Sequence, residues 1–387
     1  MTTRLQCGRM AELGAGMAPV NHQPRGSNRL WQVVAAIMIA AAASAARDRE
    51  PVPVPAKTLV EPPPGELYHG VFPGGRNGNG GDITPFDVLS YERAVGKQPA
   101  WVYFWNNWYE SPEFPYQTAS WIRANGSVPY IRLMLLSSAK IPRPDPVYSL
   151  ENIIAGKSDP LLRNWMQAAR RFGSPVIAEY GVEVNGWWFP WNGLYNKGGG
   201  SYSDSVARFR EAYRHIIRLA REEGAYNIRW VFHVDPWDEP VEEWNRFENY
   251  YPGDEWIDWV GVSVYGRQLP SDEDAVSFRY QMDWVYARLR RLTDKPVIVC
   301  EFGTIDDSHQ AAWAKAALAD LVGGRWPKVI GFSWWNAAFR NDPATGRWSN
   351  MRVQESPALQ AIFRNYVGRE RTVISRPITR PVTLKEP

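Results

Sequence analysis

Two glutamates stand where β-branched runs meet turns: Glu183 in YGVEVNGWWFPW and Glu301 in PVIVCEFG. Two carboxyls that converge on one sugar can break a glycosidic bond: a protonated one gives its proton to the leaving oxygen, and an ionised one attacks the anomeric carbon. The two roles need different surroundings. Trp187, Trp188 and Trp191 put apolar rings beside Glu183, and Tyr265, closing another strand-like run, offers a hydroxyl to orient Glu301 as a nucleophile. Strand alternation puts Val297, Val299 and Glu301 on one face and turns Cys300 toward a helix layer, which reads Cys300 as packing. For either glutamate alone an ordinary surface acid is the competing reading; the joint placement at strand ends favours catalysis.

Other residue types extend this chemistry or exclude rivals. The chain carries 20 tryptophans against 14 phenylalanines, many beside Gly, Pro or Asn, where loops are expected. Aromatic loops suit stacking on sugars, and filling a core is the alternative use of such rings. Trp108, Trp188, Trp191, Trp334 and Trp335 are the candidate sugar contacts. His233 ends a strand and either lines the cleft or is a hydrogen-bonded framework group. Arg132 either points into the cleft or pairs with a carboxylate below it. Asp235, Asp238 and Glu239, between prolines, read as a solvated turn. The five histidines are scattered, with no HExxH or CxxC spacing, so neither metal nor cofactor is expected. The glycine runs at 74–82 and 198–200 lack the GK[ST] ending of a phosphate loop, and no GxSxG occurs.

These residues need a scaffold that brings strand ends together. Short β-rich runs near 66–73, 99–105, 128–136, 175–183, 227–233, 257–265, 296–302 and 328–335 alternate with amphipathic helical stretches. The clearest helix runs from about Ser205 to Glu223 before Gly224, and the last begins with Ser356-Pro357 and stops at Gly368. Eight such repeats predict an α/β fold with a single (β/α)8 TIM barrel spanning residues 65–368, whose active site gathers at the carboxyl ends of the strands. A doubly wound open sheet is the rival, but no GxGxxG follows any strand.

Ahead of the barrel, Arg25 and Arg29 precede an apolar run from Leu30 to Ala46 ending in Ala43-Ser44-Ala45, so residues 1–46 read as a signal peptide and the protein as secreted or periplasmic. An uncleaved membrane anchor is the alternative. Residues 47–64 form a proline-rich linker and 369–387 a basic, proline-containing tail, flexible or clinging to the surface. Removing the leader subtracts four arginines and one glutamate, so the 44 basic and 41 acidic residues become 40 and 40. A balanced charge gives no long-range attraction to nucleic acid or anionic lipid and suits a neutral polysaccharide or oligosaccharide. With Cys7 in the leader, Cys300 has no disulfide partner. A monomer is expected.

The segments ENIIAGKSDPLLRNWMQAARR, EVNGWWFPW, EEGAYNIRWVF, YYPGDEWIDWVGVSVYG, KPVIVCEFG and GFSWWN, in that order, resemble glycoside hydrolase family 26, a clan A barrel family known mainly for β-mannanases and including β-1,3-1,4-glucanases. The resemblance spans about residues 68–368. It implies that Glu183 is the acid and base, that Glu301 is the nucleophile, and that anomeric configuration is retained through a covalent intermediate with the carboxyls about 5 Å apart. It further implies that Tyr265 contacts the nucleophile, that Trp188 lies near the bound sugar, that Asn185 is the asparagine two after the acid, and that Trp334 with Trp335 forms the aromatic end of strand eight, where a ring floors the cleavage subsite. β-1,4-Mannan is the first substrate it suggests. Many members carry histidine immediately before the acid; Val182 stands there here, which leaves sugar specificity and pH optimum open.

Overall fold

The computed structural model describes residues 56–75, 80–273, 275–340, 342 and 344–382; the expected leader and the first part of the linker lie outside this range. Eight parallel strands follow in sequence: β1 Leu67–Phe72, β2 Trp101–Asn107, β3 Val128–Met134, β4 Val176–Tyr180, β5 Ile228–Val234, β6 Trp259–Tyr265, β7 Val297–Gly303 and β8 Val329–Trp335. Each pairs with the next, and β1 pairs with β8, so the sheet closes into the expected barrel. Most strands lie within two residues of their expected bounds. β4 does not: it stops at Tyr180, three residues before Glu183.

The principal helices wrap this cylinder: α1 Pro85–Val95, α2 Tyr116–Ala124, α3 Asp159–Phe172, α4 Tyr202–Glu222, α5 Phe278–Leu292, α6 Gln310–Val322 and α7 Pro357–Phe363. Their starts are written in the capping residues. α4 begins three residues earlier than its apolar stripe suggests, because the Ser201 hydroxyl accepts from the Asp204 amide and the Asp204 carboxylate accepts from the Ser201 amide. Such a capping box is worth about 1 kcal/mol. α7 starts with Ser356 as cap and Pro357 in its first turn, as expected.

Alternation along the strands sorts the interior from the helix layer. Trp101, Tyr103 and Trp105 of β2 point inward, and the Trp101 ring crosses the barrel floor to donate to Ser333 Oγ at 2.7 Å. Its room comes from Gly70 and Gly331, where a Cβ atom would lie 2.0 and 2.3 Å from the ring. Barrel interiors are usually filled by branched aliphatics. Here the upper interior instead holds Tyr103, Tyr130, Arg132, Glu179, His233, Ser263 and Glu301, all buried.

The tail is part of the structure rather than loose. Val373–Ile374 adds a parallel strand to β1, and Thr379–Pro381 pairs antiparallel with Lys57–Leu59 of the linker. Strand pairing among the described residues therefore reaches past positions 65 and 368, one strand joining the barrel sheet and one pair forming a separate two-stranded sheet. No helix among the described residues is long and apolar enough to cross a membrane.

Candidate active site

Glu183 lies in a turn beyond β4, with φ of 47°. Left-handed backbone at a non-glycine residue costs on the order of 1–3 kcal/mol and persists only where surrounding contacts impose it. Those contacts are visible. The Glu183 carbonyl accepts from the Gly186 amide at 2.8 Å, Trp191 Nε1 donates to the Val182 carbonyl at 2.9 Å, and Trp188 Nε1 donates to Glu183 Oε2 at 2.7 Å. Both rings that were expected to stack on sugar are thus buried and hold the glutamate from behind. Trp188 and Trp191 are positioning groups, because their indole N–H bonds draw them under the chain.

Across the mouth Glu301 sits near the end of β7. It receives Tyr265 Oη on Oε2 at 2.8 Å, with Arg132 Nη1 and Tyr103 Oη each 3.1 Å from Oε1. Burial pushes its pKa up to about 7; Arg132 opposes that rise and the Glu183 charge adds to it. Burial works against the Arg132 charge too, but Tyr103, Glu301, Glu179 and Glu183 hold its pKa above the usual arginine value. Arg132 therefore bridges electrostatically between the two glutamates, which occupy one connected polar site.

Beneath Glu301 lies a second buried layer. Glu179 Oε2 accepts from Tyr130 Oη and faces His233 Nδ1 at 3.0 Å, while His233 Nε2 meets Ser263 Oγ at 2.8 Å. Tyr103 Oη also reaches Glu179 Oε1, so one hydroxyl hydrogen serves two carboxylates. Burial opposes ionisation of Glu179, and His233 and Arg132 outweigh it, lowering the Glu179 pKa. Burial likewise opposes the His233 charge, and the neighbouring Cys300 and Glu179 raise its pKa well above the ordinary value. His233 is accordingly a framework group, enclosed below the cleft rather than lining it.

Cys300 corrects the alternation argument. The β6–β7 register shifts between Val262 and Ser263, so that Val262 opposes Val299 and Ser263 opposes Glu301. This bulge turns Cys300 inward as well as Glu301: its sulfur is 3.0 Å from Tyr130 Oη and fills the space that a Cβ on Gly261 would need. Glu179, His233 and Cys300 have the donor types of a metal site and lie within 4.8 Å of one another. Tyrosine, serine and each other already satisfy them, and the arrangement reads as a hydrogen-bonded layer.

Three further candidates move. Trp334 points outward, packing edge-on against Phe302 and Phe363 at 5.0 Å with its indole bonded to the Met351 carbonyl, because alternation allows only one of two adjacent residues to face the barrel. That residue is Trp335, stacked on Phe72 at 3.9 Å and edge-on to Tyr265 at 6.2 Å. Trp108 is buried against Tyr148; β2 runs on to Asn107, so Trp105 is the inward, half-exposed ring, with the Arg132 guanidinium 5.0 Å above it. Asn185 is fully buried and its side chain bonds the Asp235 amide and carbonyl, the Trp237 carbonyl and the Asp238 carboxylate, pinning the loop after β5.

That loop is no solvated turn. Asp238 pairs with Arg288 at 2.8 Å, and Asp235 lies close enough to Glu183 that burial first, and the Glu183 charge second, raise the Asp235 pKa well above the usual range. Sequence reasoning missed Tyr103, Glu179 and Trp105, and took Asp235 for part of a solvated turn. Their shared signal is position on, or just beyond, an inward strand face, legible only once the strand bounds are known.

Comparison with known proteins gives a consistent frame. The model of glycosyl hydrolase family 26 matches residues 152–350, just over half of the 387-residue chain. Endoglucanase H of Acetivibrio thermocellus is 25% identical over 284 residues, 73% of this chain and 29% of that protein. A β-1,3-xylanase, TXYA of Vibrio sp, is 26% identical over 120 residues, 31% of this chain and 23% of that protein. The chain thus spans less than a third of the length of these curated relatives. Among solved structures, the β-mannanase of Bacteroides ovatus superposes with a TM-score of 0.57 at 15% identity, covering 80% of this chain and 90% of that one. The mannanase BCman of Bacillus subtilis gives 0.54 at 19% identity, covering 76% and 85%. On the family match, with the barrel topology in agreement, the chain belongs to glycosyl hydrolase family 26.

Proposed function

We propose that this protein is a retaining endo-β-glycanase that hydrolyses a neutral β-linked polysaccharide, with Glu183 as acid and base and Glu301 as nucleophile. The observation that carries the reading is the site in which Arg132 lies within electrostatic reach of both glutamates at the carboxyl end of a closed barrel. Glu183 donates its proton to the glycosidic oxygen while a Glu301 oxygen bonds the anomeric carbon and the leaving sugar departs. Water then attacks that carbon, Glu183 takes the water proton, and the bond to Glu301 breaks, giving a product of unchanged anomeric configuration. Arg132 and Tyr265 hold the Glu301 carboxylate, and partly buried Trp105, with Trp335 packed 6.3 Å behind it, offers an aromatic face to the sugar.

β-1,4-Mannan is the first substrate by family. β-Glucan is the second reading, favoured by the match to an endoglucanase over most of the chain. The apolar, buried Val182 beside the acid removes one polar contact by which a sugar epimer would be read. The leader-like first 46 residues support export, and the balanced charge that remains without them supports a neutral substrate.

Reducing-end release from mannan, mixed-linkage glucan and β-1,3-xylan tests the activity. Turnover of at least one is expected, falling by roughly 100-fold or more in Glu183→Gln and in Glu301→Gln. Sugar binding with equal background rates in wild type and Glu301→Gln would mark a non-catalytic carbohydrate-binding barrel instead.

A further inference from the structure

Outside the cleft, three rings share one face of the barrel rim. Trp237, in the loop after β5, lies nearly parallel to Trp284 of α5, at 19° with centroids 6.4 Å apart, and is 6.1 Å from Tyr280 of the same helix. Rings in face contact are about 3.5 Å apart. At these separations the rings are not in full face-to-face contact, and Trp237 is partly buried at the edge of the pair. Trp284 is 50% exposed and Tyr280 61% exposed, four residues apart on one face of the helix.

The spacing of the rings is imposed from below. Arg288, one turn beyond Trp284 and itself 5% exposed, pairs with Asp238 at 2.8 Å and with Glu248 at 2.6 Å. It thereby ties the loop that carries Trp237 to the helix that carries Tyr280 and Trp284. Asn185 ties the same loop to the segment bearing Glu183, through the Trp237 carbonyl at 3.1 Å. The platform is preorganised and continuous with one wall of the cleft. In a (β/α)8 barrel the first turns of each helix lie at the active-site end, which places Tyr280 and Trp284 beside the mouth.

We propose that Trp237, Tyr280 and Trp284 form a second carbohydrate-binding platform, which takes the part of a neutral β-linked polysaccharide that runs out of the cleft over the loop after β5. Pyranose faces present C–H groups to such rings, and an uncharged platform suits an uncharged chain. This rests on the endo-glycanase reading and extends it to long substrates.

The test compares wild type with the Trp284→Ala, Tyr280→Ala double variant, both full-length, checked by thermal unfolding. The readouts are kcat/KM on polymeric mannan, glucan or β-1,3-xylan relative to a trisaccharide of the same linkage, and retardation in a gel containing the polymer. The polymer-to-trisaccharide ratio is expected to fall roughly tenfold, with loss of retardation. An unchanged ratio and unchanged retardation would overturn the platform while leaving the hydrolase standing. A variant that changes only a dimer-to-monomer equilibrium would also overturn it, assigning the face to a second copy of the chain. Wild type that neither cuts nor binds any polymer would remove both proposals.

Discussion

At the scale of single residues, the proposed nucleophile is a buried carboxyl whose ionisation is contested. Burial raises its pKa to about 7 while Arg132 pulls the other way. Because the nucleophile must be ionised, kcat/KM is expected to lose its acidic limb near pH 7, rising as pH rises through that value. Tyr265→Phe removes a donor to the charged form of Glu301. The limb should then move to higher pH and kcat/KM should fall roughly 10- to 100-fold, the worth of one hydrogen bond to a buried charge. A loss of rate with no movement of the limb would mean that Tyr265 serves packing alone. Tyr103 offers one hydrogen to Glu179 and Glu301 together, which keeps the nucleophile less fully hydrogen-bonded than a carboxylate in water.

At the scale of elements, the loop after β5 is as much a part of the site as the strands. Its four bonds to Asn185 leave little freedom to Asp235, Trp237 or Asp238. Asn185→Ala strands buried backbone groups and is expected to cost about 2–4 kcal/mol in urea unfolding, with weaker turnover following from the misplaced Glu183 turn. The order and approximate bounds of the eight strands were legible from β-branched runs, and so was the place of Glu301 near the carboxyl end of its strand. Register was not. A bulge between β6 and β7 turned Cys300 inward, and a short β4 left Glu183 in a left-handed turn, features set by tertiary contacts rather than by period-two pattern. The directions in which Trp188, Trp191, Trp334 and Asn185 face were not legible for a related reason: residue type marks a side chain as polar or aromatic, but only packing shows which way it points. Pairing of the tail with the linker bridges over 300 residues and leaves no local sequence signal.

At the scale of the whole molecule, two buried groups make stability depend on pH in opposite directions. His69 is fully buried, with neither ring nitrogen hydrogen-bonded, and burial lowers its pKa from 6.5 to about 3. Below pH 6.5 the unfolded chain gains a proton at this site that the fold refuses, so stability falls as pH drops from about 6.5 toward 3. Glu301 is raised instead, so its contribution is present below pH 4.5 and is lost as pH rises through about 7. Urea unfolding across pH should therefore show His69→Phe gaining on wild type at acid pH and Glu301→Gln gaining above neutrality, each by on the order of 2 kcal/mol. Such a gain for Glu301→Gln is the stability cost of holding a carboxylate where water would otherwise solvate it. The most direct test of the proposed chemistry is covalent: the protein is incubated with an activated fluoro-sugar glycoside of whichever β-glycan it cuts, and its peptides are mapped by mass spectrometry. A single glycosyl adduct on the peptide containing Glu301, absent in Glu301→Gln, is the predicted result. Steady cleavage of that glycan with no adduct on Glu301, or with an adduct on another residue, would contradict the account.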